Sequence, residues 1–177
     1  MAEPQAPFPE RIVLVGFMGA GKTTVGAALA ALLSWEFRDL DRWIEERAGA
    51  SVAEIFRQRG EPAFRDLERS AAAALAGTKD VVAAAGGGAF TIPDIREALR
   101  RGATTVWLRC DVETALLRVP LDGTRPLAAS RETIALLLAQ REPSYRQADV
   151  TVDATVSPPE AVARRIVEAL SGARRTI

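Results

Sequence analysis

Short apolar runs alternate along the chain with longer segments in which apolar residues recur every three or four positions. The clearest run is RIVLV at Arg11–Val15, which is rich in β-branched residues and ends at a glycine, as a buried strand does. DVVAAA from position 80, ATTVWL from 103 and DVTVD from 149 also predict strands, and EFRDL from 36 is a weaker candidate. The pattern therefore indicates about five strands.

Helical spacing fills each interval between the predicted strands. Ser51 and Glu54 have the spacing of a capping box, and Gly49 and Gly60 are stop signals at helix ends. The predicted helices cover residues 23–33, 41–49, 51–60, 62–76, 92–102, 111–118, 131–147 and 157–170. Because parallel strands need crossover connections, this alternation predicts a three-layer α/β domain whose sheet is covered by helices on both faces.

The pattern predicts a single domain over residues 11–171, without an internal repeat or a linker. The opening MAEPQAPFPE is proline-rich and lacks an apolar centre, so residues 1–10 are expected to be a flexible tail rather than a signal peptide. Residues 172–177 are expected to be a C-terminal tail. The segment VPLDGTRPLAAS, at 119–130, breaks all periodicity and predicts a loop.

Composition narrows the function classes further. A formal net charge of zero disfavours a nucleic-acid binder, which usually carries a basic surplus. The sequence contains no histidine, which excludes Ser-His-Asp and Cys-His catalysis and histidine metal sites. The single cysteine, Cys110, is expected to be a small buried residue rather than a catalytic thiol. No apolar stretch approaches a membrane span, so we expect a cytoplasmic protein that does not bind a membrane. We also expect a monomer that does not bind nucleic acid.

The segment GFMGAGKT, directly after the first strand, fits the pattern G-x-x-x-x-G-K-[ST] of a phosphate-binding loop. Glycines let successive N–H groups turn toward an anion, and the following helix adds the positive end of its dipole. The lysine suits the β- and γ-phosphates of a nucleoside triphosphate, and the threonine hydroxyl suits Mg²⁺. The predicted nucleotide-binding residues of this loop are Gly19, Ala20, Gly21, Lys22, Thr23 and Thr24.

Other candidate residues are ambiguous when each is taken alone. Asp39 and Asp41, at a strand-to-helix junction, either reach one cleft or serve as a solvated side chain and a helix cap, respectively. The triple glycine at 86–88 is a ligand-approaching loop or a plain turn. Arg65 and Glu68, spaced i,i+3, suit an ordinary surface ion pair. Isolated arginines such as Arg125 and Arg141 are more often solvated than catalytic.

The order in which these motifs occur along the chain is far more specific to one family than any single motif after the phosphate loop. GFMGAGKT, D-x-D at Asp39, FRDLE, GGG, RPL at Arg125 and REPSYRQAD around Arg141 follow one another along the chain. This string resembles shikimate kinase over about residues 11–170. The resemblance implies a nucleoside-monophosphate-kinase-like P-loop fold with a five-stranded parallel sheet. It also implies transfer of the ATP γ-phosphate to the 3-hydroxyl of shikimate, on the pathway to chorismate and the aromatic amino acids.

The resemblance also implies roles for individual residues. It places Lys22, Asp41 and Arg125 among the catalytic residues, with Asp41 as the base and Arg125 in a mobile lid at about 118–130. Thr23 and Asp39 would hold Mg²⁺, and Arg118 and Pro159 would flank the adenine. The implied shikimate-binding residues are Asp41, Phe56, Phe64, Arg65, Gly86, Gly87, Gly88 and Arg141.

Two positions depart from the family pattern, and two other functions stay open. Ala85 replaces the usual threonine before the triple glycine, and Ala128 replaces the usual second leucine after Arg125. These changes bear on lid packing and affinity more than on activity. The alternatives are a kinase of the same fold that acts on another hydroxy acid such as gluconate, and a nucleotide-binding module without transfer activity.

Overall fold

The computed structural model describes residues 8–118, 130–155 and 157–172. Within these ranges the strands are β1 (Arg11–Val15), β2 (Glu36–Asp39), β3 (Val81–Ala84), β4 (Thr104–Arg109) and β5 (Val150–Asp153). The helices are α1 (Lys22–Leu33), α2 (Leu40–Ala48), α3 (Val52–Ala74), α4 (Pro93–Arg100), α5 (Val112–Arg118), α6 (Arg131–Tyr145) and α7 (Pro159–Gly172), with a short 3₁₀ turn at Ala89–Thr91. The alternation of strands and helices that the sequence predicts is confirmed.

All five strands form one parallel sheet in the order β2-β3-β1-β4-β5. The central strand β1 lies between β3 and β4, with Leu14 in register with Ala84 on one side and Val106 on the other. The carboxyl ends of parallel strands lie at one edge of a sheet, which is where ligands bind in such folds. The loop after β1, which is the predicted phosphate loop, therefore lies at the middle of that edge.

Helices on both faces bury the central strands completely. Every residue of β1 and β3 is buried, whereas the edge strand β2 is partly exposed along its length. A strand buried on both faces needs a continuous apolar run, and a half-exposed edge strand does not. This difference explains why β1 stands out in the sequence and β2 gives only a weak signal.

The two helices predicted around residues 51–76 are continuous apart from a kink at Gly60. Gly60 has φ 76° and ψ 172°, which is not helical, so α3 consists of two halves. The predicted capping box is present, since the Ser51 hydroxyl accepts from the Glu54 amide and the Glu54 carboxylate accepts from the Ser51 amide. The kink turns the second half of α3 so that Phe64, Glu68 and Ala71 are buried.

The predicted tails are only partly within the described residues. Phe8 packs edge-on against Trp35, with ring centroids 5.8 Å apart, so tertiary contacts begin before β1. Residues 1–7 and 173–177 lie outside the described ranges, as do residues 119–129 of the predicted lid. Among the helices that are described, none is both long enough and apolar enough to span a bilayer.

Candidate active site

The phosphate loop joins β1 to α1, and its geometry follows from its glycines. Gly21 precedes the first helical residue with φ 87°, a left-handed conformation that glycine adopts at low cost. The Lys22 ammonium donates to the carbonyl oxygens of Gly16 and Phe17, each at 2.9 Å, and so folds back over the loop. The predicted residues of this loop, Gly19, Ala20, Gly21, Lys22, Thr23 and Thr24, therefore precede or form the first turn of α1.

Asp39 connects this loop to the next helix. One carboxylate oxygen, Oδ2, accepts from the Thr23 hydroxyl at 2.6 Å. The other, Oδ1, accepts from the amides of Asp41 and Arg42 and so caps the N-terminus of α2. The cap of α2 is thus Asp39 and not Asp41, which reverses the alternative in which Asp41 served only as a cap and Asp39 was solvated. Asp41 lies in the first turn of α2 and lines the cleft.

The first glycine of the triple glycine lies between two carboxylates. A Cβ atom added at Gly86 would lie 2.6 Å from Asp41 Oδ1 and 2.9 Å from Glu68 Oε1, closer than real Cβ contacts. Any larger residue at position 86 would therefore displace one carboxylate or both. Burial is the main cause that raises the pKa of Glu68. The Arg65 guanidinium acts in the opposite direction, and the charge of Asp41 raises this pKa further. The triple glycine is therefore more than a plain turn, because it lets the chain pass close to this acidic pair.

Arg65 and Glu68 form a buried pair rather than the surface pair that their spacing suggests. The Arg65 side chain is 13% exposed and that of Glu68 is 3% exposed, and Arg65 Nη1 donates to Glu68 Oε2 at 2.6 Å. Glu61, one turn earlier, accepts from Arg65 Nε and Nη2. Burial alone would lower the pKa of Arg65, but the hydrogen bonds and charges of Glu68 and Glu61 raise it. The guanidinium is therefore fixed and charged beside Gly88, whose added Cβ would lie 2.9 Å from Nη1.

Arg141 reaches the same place from α6. Its guanidinium carbon lies 5.8 Å from the centroid of the Phe17 ring, a cation–π distance. Its Nη1 atom would lie 3.6 Å from a Cβ added at Gly87. One turn further along α6, the Tyr145 hydroxyl donates to the Gly87 carbonyl oxygen. Sequence reasoning missed Tyr145 and Glu61 as parts of the site, although both lie one helical turn from a candidate arginine.

These residues surround one cleft with a volume of about 530 Å³, a size typical of a small-molecule site. Phe56 and Phe64 form part of its wall, with ring centroids 4.7 Å apart. The predicted residues that the structure brings together around the cleft are Thr23, Asp39, Asp41, Phe56, Phe64, Arg65, Gly86, Gly87, Gly88 and Arg141. The cleft therefore joins Thr23 of the phosphate loop to a pocket whose lining includes Asp41, Arg65, Arg141 and the triple glycine.

Comparison with known proteins agrees with this arrangement. The family model described as shikimate kinase matches residues 18–171. A shikimate kinase from Moorella thermoacetica is 49% identical over 164 residues, which cover 92% of this chain and 95% of the relative. A solved shikimate kinase from Acinetobacter baumannii, in complex with shikimate, is 38% identical, covers 96% of each chain and superposes with a TM-score of 0.90.

The chain belongs to the shikimate kinase family. The family consists of ATP-dependent phosphotransferases, as the resemblance implied. A solved gluconokinase from Sinorhizobium meliloti also covers 96% of each chain, but at 18% identity and a TM-score of 0.57. That likeness shows the fold alone, so the gluconate alternative receives no support beyond the shared architecture.

The nucleotide side of this shikimate kinase family member is described in part. The Arg118 guanidinium, at the end of α5, donates to the carbonyl oxygens of Gly19, Ala154 and Thr155 at 3.0–3.3 Å. It thereby ties α5 to the phosphate loop and to the segment before α7. Pro159 is the first residue of α7 and is partly exposed. Arg125, the predicted lid arginine, lies outside the described residues.

The side-chain oxygens of Thr23, at the start of α1, and Asp39, at the end of β2, suit a magnesium ion. Thr23 and Asp39 offer a hydroxyl and a carboxylate within 2.6 Å of each other on the cleft wall. Among the described residues no cluster of three or more acidic, cysteine or histidine side chains could hold a metal by itself. Mg²⁺ at kinase sites is commonly held by one or two protein oxygens together with water and substrate phosphates. Thr23 and Asp39 therefore fit a nucleotide-bound magnesium rather than an all-protein cage.

Proposed function

We propose that this protein transfers the γ-phosphate of ATP to the 3-hydroxyl of shikimate, giving shikimate 3-phosphate and ADP in the biosynthesis of chorismate and the aromatic amino acids. One observation carries the proposal: Asp41, Arg65 and Arg141 meet in a single cleft with Thr23 of the phosphate loop. Shikimate is small and anionic and carries several hydroxyls. Guanidinium groups, a carboxylate and closely approaching glycine backbone, which this cleft brings together, match that chemistry.

The two arginines are proposed to clamp the acceptor carboxylate. A guanidinium presents planar paired donors that match a carboxylate, and burial strengthens such charge-assisted hydrogen bonds. Arg65 is well suited because Glu61 and Glu68 already hold it in one orientation, so little side-chain entropy is lost on binding. Phe56 and Phe64 supply apolar walls, and Gly86, Gly87 and Gly88 let the backbone approach the ring.

Asp41 is proposed to accept the proton of the attacking hydroxyl. The hydroxyl oxygen then forms a bond to the γ-phosphorus while the bond from that phosphorus to the β,γ-bridging oxygen breaks. A carboxylate next to the hydroxyl orients it and receives its proton, which typically contributes a factor of about 10²–10⁴ to the rate. The assignment is supported by the position of Asp41, which lines the cleft next to Gly86.

The donor side rests on the phosphate loop. The amides from Gly19 to Thr24 and the N-terminus of α1 are proposed to hold the ATP phosphates, with Lys22 moving from the carbonyls of Gly16 and Phe17 to the phosphates. Thr23 and Asp39 would hold Mg²⁺, which neutralises developing phosphate charge when bound. Arg118 and Pro159 are proposed to flank the adenine. Arg125, carried by a lid at about 118–130, is proposed to reach the transferring phosphoryl group.

A substrate panel tests the proposal directly. The purified protein is assayed with ATP and Mg²⁺ against shikimate, gluconate and other small hydroxy acids, with ADP formation as the readout and phosphorus NMR to locate the new ester. We expect turnover with shikimate and phosphate on its 3-hydroxyl. Turnover that favours gluconate would contradict the proposal, and nucleotide binding without transfer to any acid would favour a binding module. Light scattering and cell fractionation test the proposed monomeric state and cytoplasmic location.

A further inference from the structure

Tyr145 is a fully buried phenol at the back of the acceptor pocket. It is the only tyrosine of the chain, and its side chain is 0% exposed in the last turn of α6. Its ring packs against Trp107 of β4, with centroids 6.1 Å apart and planes tilted by 32°. Packing alone needs only the ring, which phenylalanine also has. The hydroxyl is therefore the part that requires an explanation, because burying an unpaired hydroxyl costs free energy.

The hydroxyl is anchored on the glycine loop. It donates to the carbonyl oxygen of Gly87, 58 residues away in sequence. This bond leaves the phenol oxygen with lone pairs that are available as acceptors. It also fixes the position of the phenol oxygen next to the glycine loop that lines the pocket.

The same oxygen faces the cation one turn earlier on α6. Burial raises the pKa of Tyr145 to about 12, while the charge of Arg141 and its hydrogen bond to the phenol act in the opposite direction. Arg141 is also close to Gly87, since Nη1 would lie 3.6 Å from a Cβ added there. The phenol is neutral at physiological pH. Because the Gly87 carbonyl to which it donates lies next to the Arg141 guanidinium, its lone pairs can accept from that cation.

Arg65 and Arg141 differ in how they are held, because carboxylates pair with Arg65 and, among the described residues, none pairs with Arg141. Arg65 is held by Glu61 and Glu68, whereas no ion pair of Arg141 is found in the described part of the chain. A long arginine side chain loses rotamer freedom when it is fixed, so prior orientation improves ligand binding. In the described part of the chain, the Arg141 guanidinium lies over the Phe17 ring and next to Gly87, whose carbonyl accepts from the Tyr145 hydroxyl one turn further along α6.

We propose that Tyr145 is a positioning residue that orients Arg141 for the acceptor carboxylate, with its hydroxyl held in place by the carbonyl of Gly87. This inference rests on the proposed function and extends it to a residue outside the cleft wall. Tyr145 is not among the residues that line the cleft, so the proposed effect of its hydroxyl runs through Arg141. Loss of the hydroxyl therefore affects binding of the acid, and leaves nucleotide binding and the phosphoryl-transfer step largely unchanged.

Tyr145→Phe is the decisive variant, because it removes one oxygen atom and keeps the ring. Loss of one hydrogen bond to a charged group predicts a rise of about ten- to a hundredfold in the shikimate dissociation constant and KM. The ADP dissociation constant and kcat are expected to stay within about twofold. Thr105→Val is the matched control, because it also removes a buried hydroxyl, one that donates to Asp149 at 2.6 Å. Thr105 lies near the amino end of β4, away from the carboxyl edge of the sheet that carries the cleft. Thr105→Val is expected to lower thermal stability and to leave the shikimate KM unchanged.

A double-mutant cycle separates positioning from general stability. If the hydroxyl acts through Arg141, then Tyr145→Phe changes the shikimate dissociation constant much less in an Arg141→Ala background than in the parent. Fully additive effects of the two substitutions would overturn the proposal. Unchanged shikimate binding in Tyr145→Phe, while the parent turns over shikimate normally, would also overturn it and leave the proposed function intact. A parent that ignores shikimate would instead refute the proposed function.

A second measurement needs no mutation, only a fluorine label on Tyr145. Because the chain has one tyrosine, growth with 3-fluorotyrosine gives a protein with a single fluorine resonance. We expect shikimate to shift this resonance, because its carboxylate would pair with the Arg141 guanidinium and so change the electric field at the phenol. We expect ADP to shift it much less. A resonance that does not respond to saturating shikimate contradicts the proposal.

Discussion

Asp39 receives a hydrogen bond from the Thr23 hydroxyl at 2.6 Å and, through its other oxygen, caps the helix that carries Asp41. One carboxylate thus links the phosphate loop on the donor side to the proposed base on the acceptor side. Phosphoryl transfer depends mainly on positioning and charge, so a fixed link between the two half-sites has direct catalytic value.

Two substitutions at position 39 separate these functions. Asp39→Ala removes the cap and is expected to lower the free energy of unfolding by about 1 kcal/mol, measured by urea denaturation. Asp39→Asn keeps an N-cap oxygen and is expected to retain most of that stability. Both variants are expected to need more Mg²⁺ for half-maximal turnover. Equal destabilisation by alanine and asparagine would contradict the capping role, and an unchanged Mg²⁺ requirement would contradict the metal role.

Lys22→Ala is expected to abolish transfer and leave the fold intact. We propose that the ammonium is the point charge that the loop places beside the ATP phosphates, and it donates to the carbonyls of Gly16 and Phe17. Circular dichroism and ADP release measure fold and activity, respectively. Lys79→Ala, which removes an exposed lysine paired with Glu10, is the matched control and is expected to keep full activity. Near-normal turnover of the Lys22 variant would refute the assignment of the phosphate loop.

Arg65→Ala and Arg141→Ala are each expected to weaken shikimate binding by roughly 2–5 kcal/mol, because the loss of one partner leaves a desolvated charge unpaired. ADP binding should change little, and titration calorimetry with each ligand decides the matter. Arg69→Ala offers a control on the same helix, since Arg69 pairs with Asp66 and Asp94 at the surface. The clamp assignment fails if both ligands, or neither, lose affinity.

Arg125→Ala is expected to lower kcat by about a hundredfold, which corresponds to the loss of roughly 3 kcal/mol of transition-state stabilisation. The dissociation constants of ADP and shikimate should change much less, because the contact forms mainly in the transition state. Arg131→Ala, an exposed arginine at the start of α6 that contacts Glu113, is the control. A kcat within a few-fold of the parent would identify Arg125 as a solvated arginine without a catalytic role.

Acid stability provides a prediction away from the cleft. The hydrogen bond from Arg109 is the main cause that lowers the pKa of Asp153 from 3.8 to about 2. Ionised Asp153 therefore stabilises the fold above pH 3.8, and this contribution is lost as the pH falls toward about 2. Asp153→Asn has no such contribution to lose, so its unfolding free energy should decline less between pH 4 and pH 2 than that of the parent. Parallel curves for the two proteins would rule the effect out.

The sequence by itself determined the element order and the donor site. Apolar runs of β-branched residues specify β1, β3 and β4, because strands covered on both faces need them. The phosphate loop is specified locally, since its glycines, Lys22 and Thr23 are contiguous and act through their own backbone. The ordered motifs further identified the family, which the comparisons confirm.

Only the tertiary structure decided which candidate residues meet and how each is held. Arg65 and Glu68 suit a surface pair by spacing, and it is the kink at Gly60 and the packing of α3 that bury them. The division of labour between Asp39 and Asp41 depends on Thr23, 16 residues away from Asp39. Tyr145 lies one helical turn from Arg141, but its hydrogen bond could not be predicted from that spacing, because the partner lies 58 residues earlier on another element. Periodicity and spacing report contacts within one element, whereas burial and pairing between elements arise only when the sheet and its helices assemble.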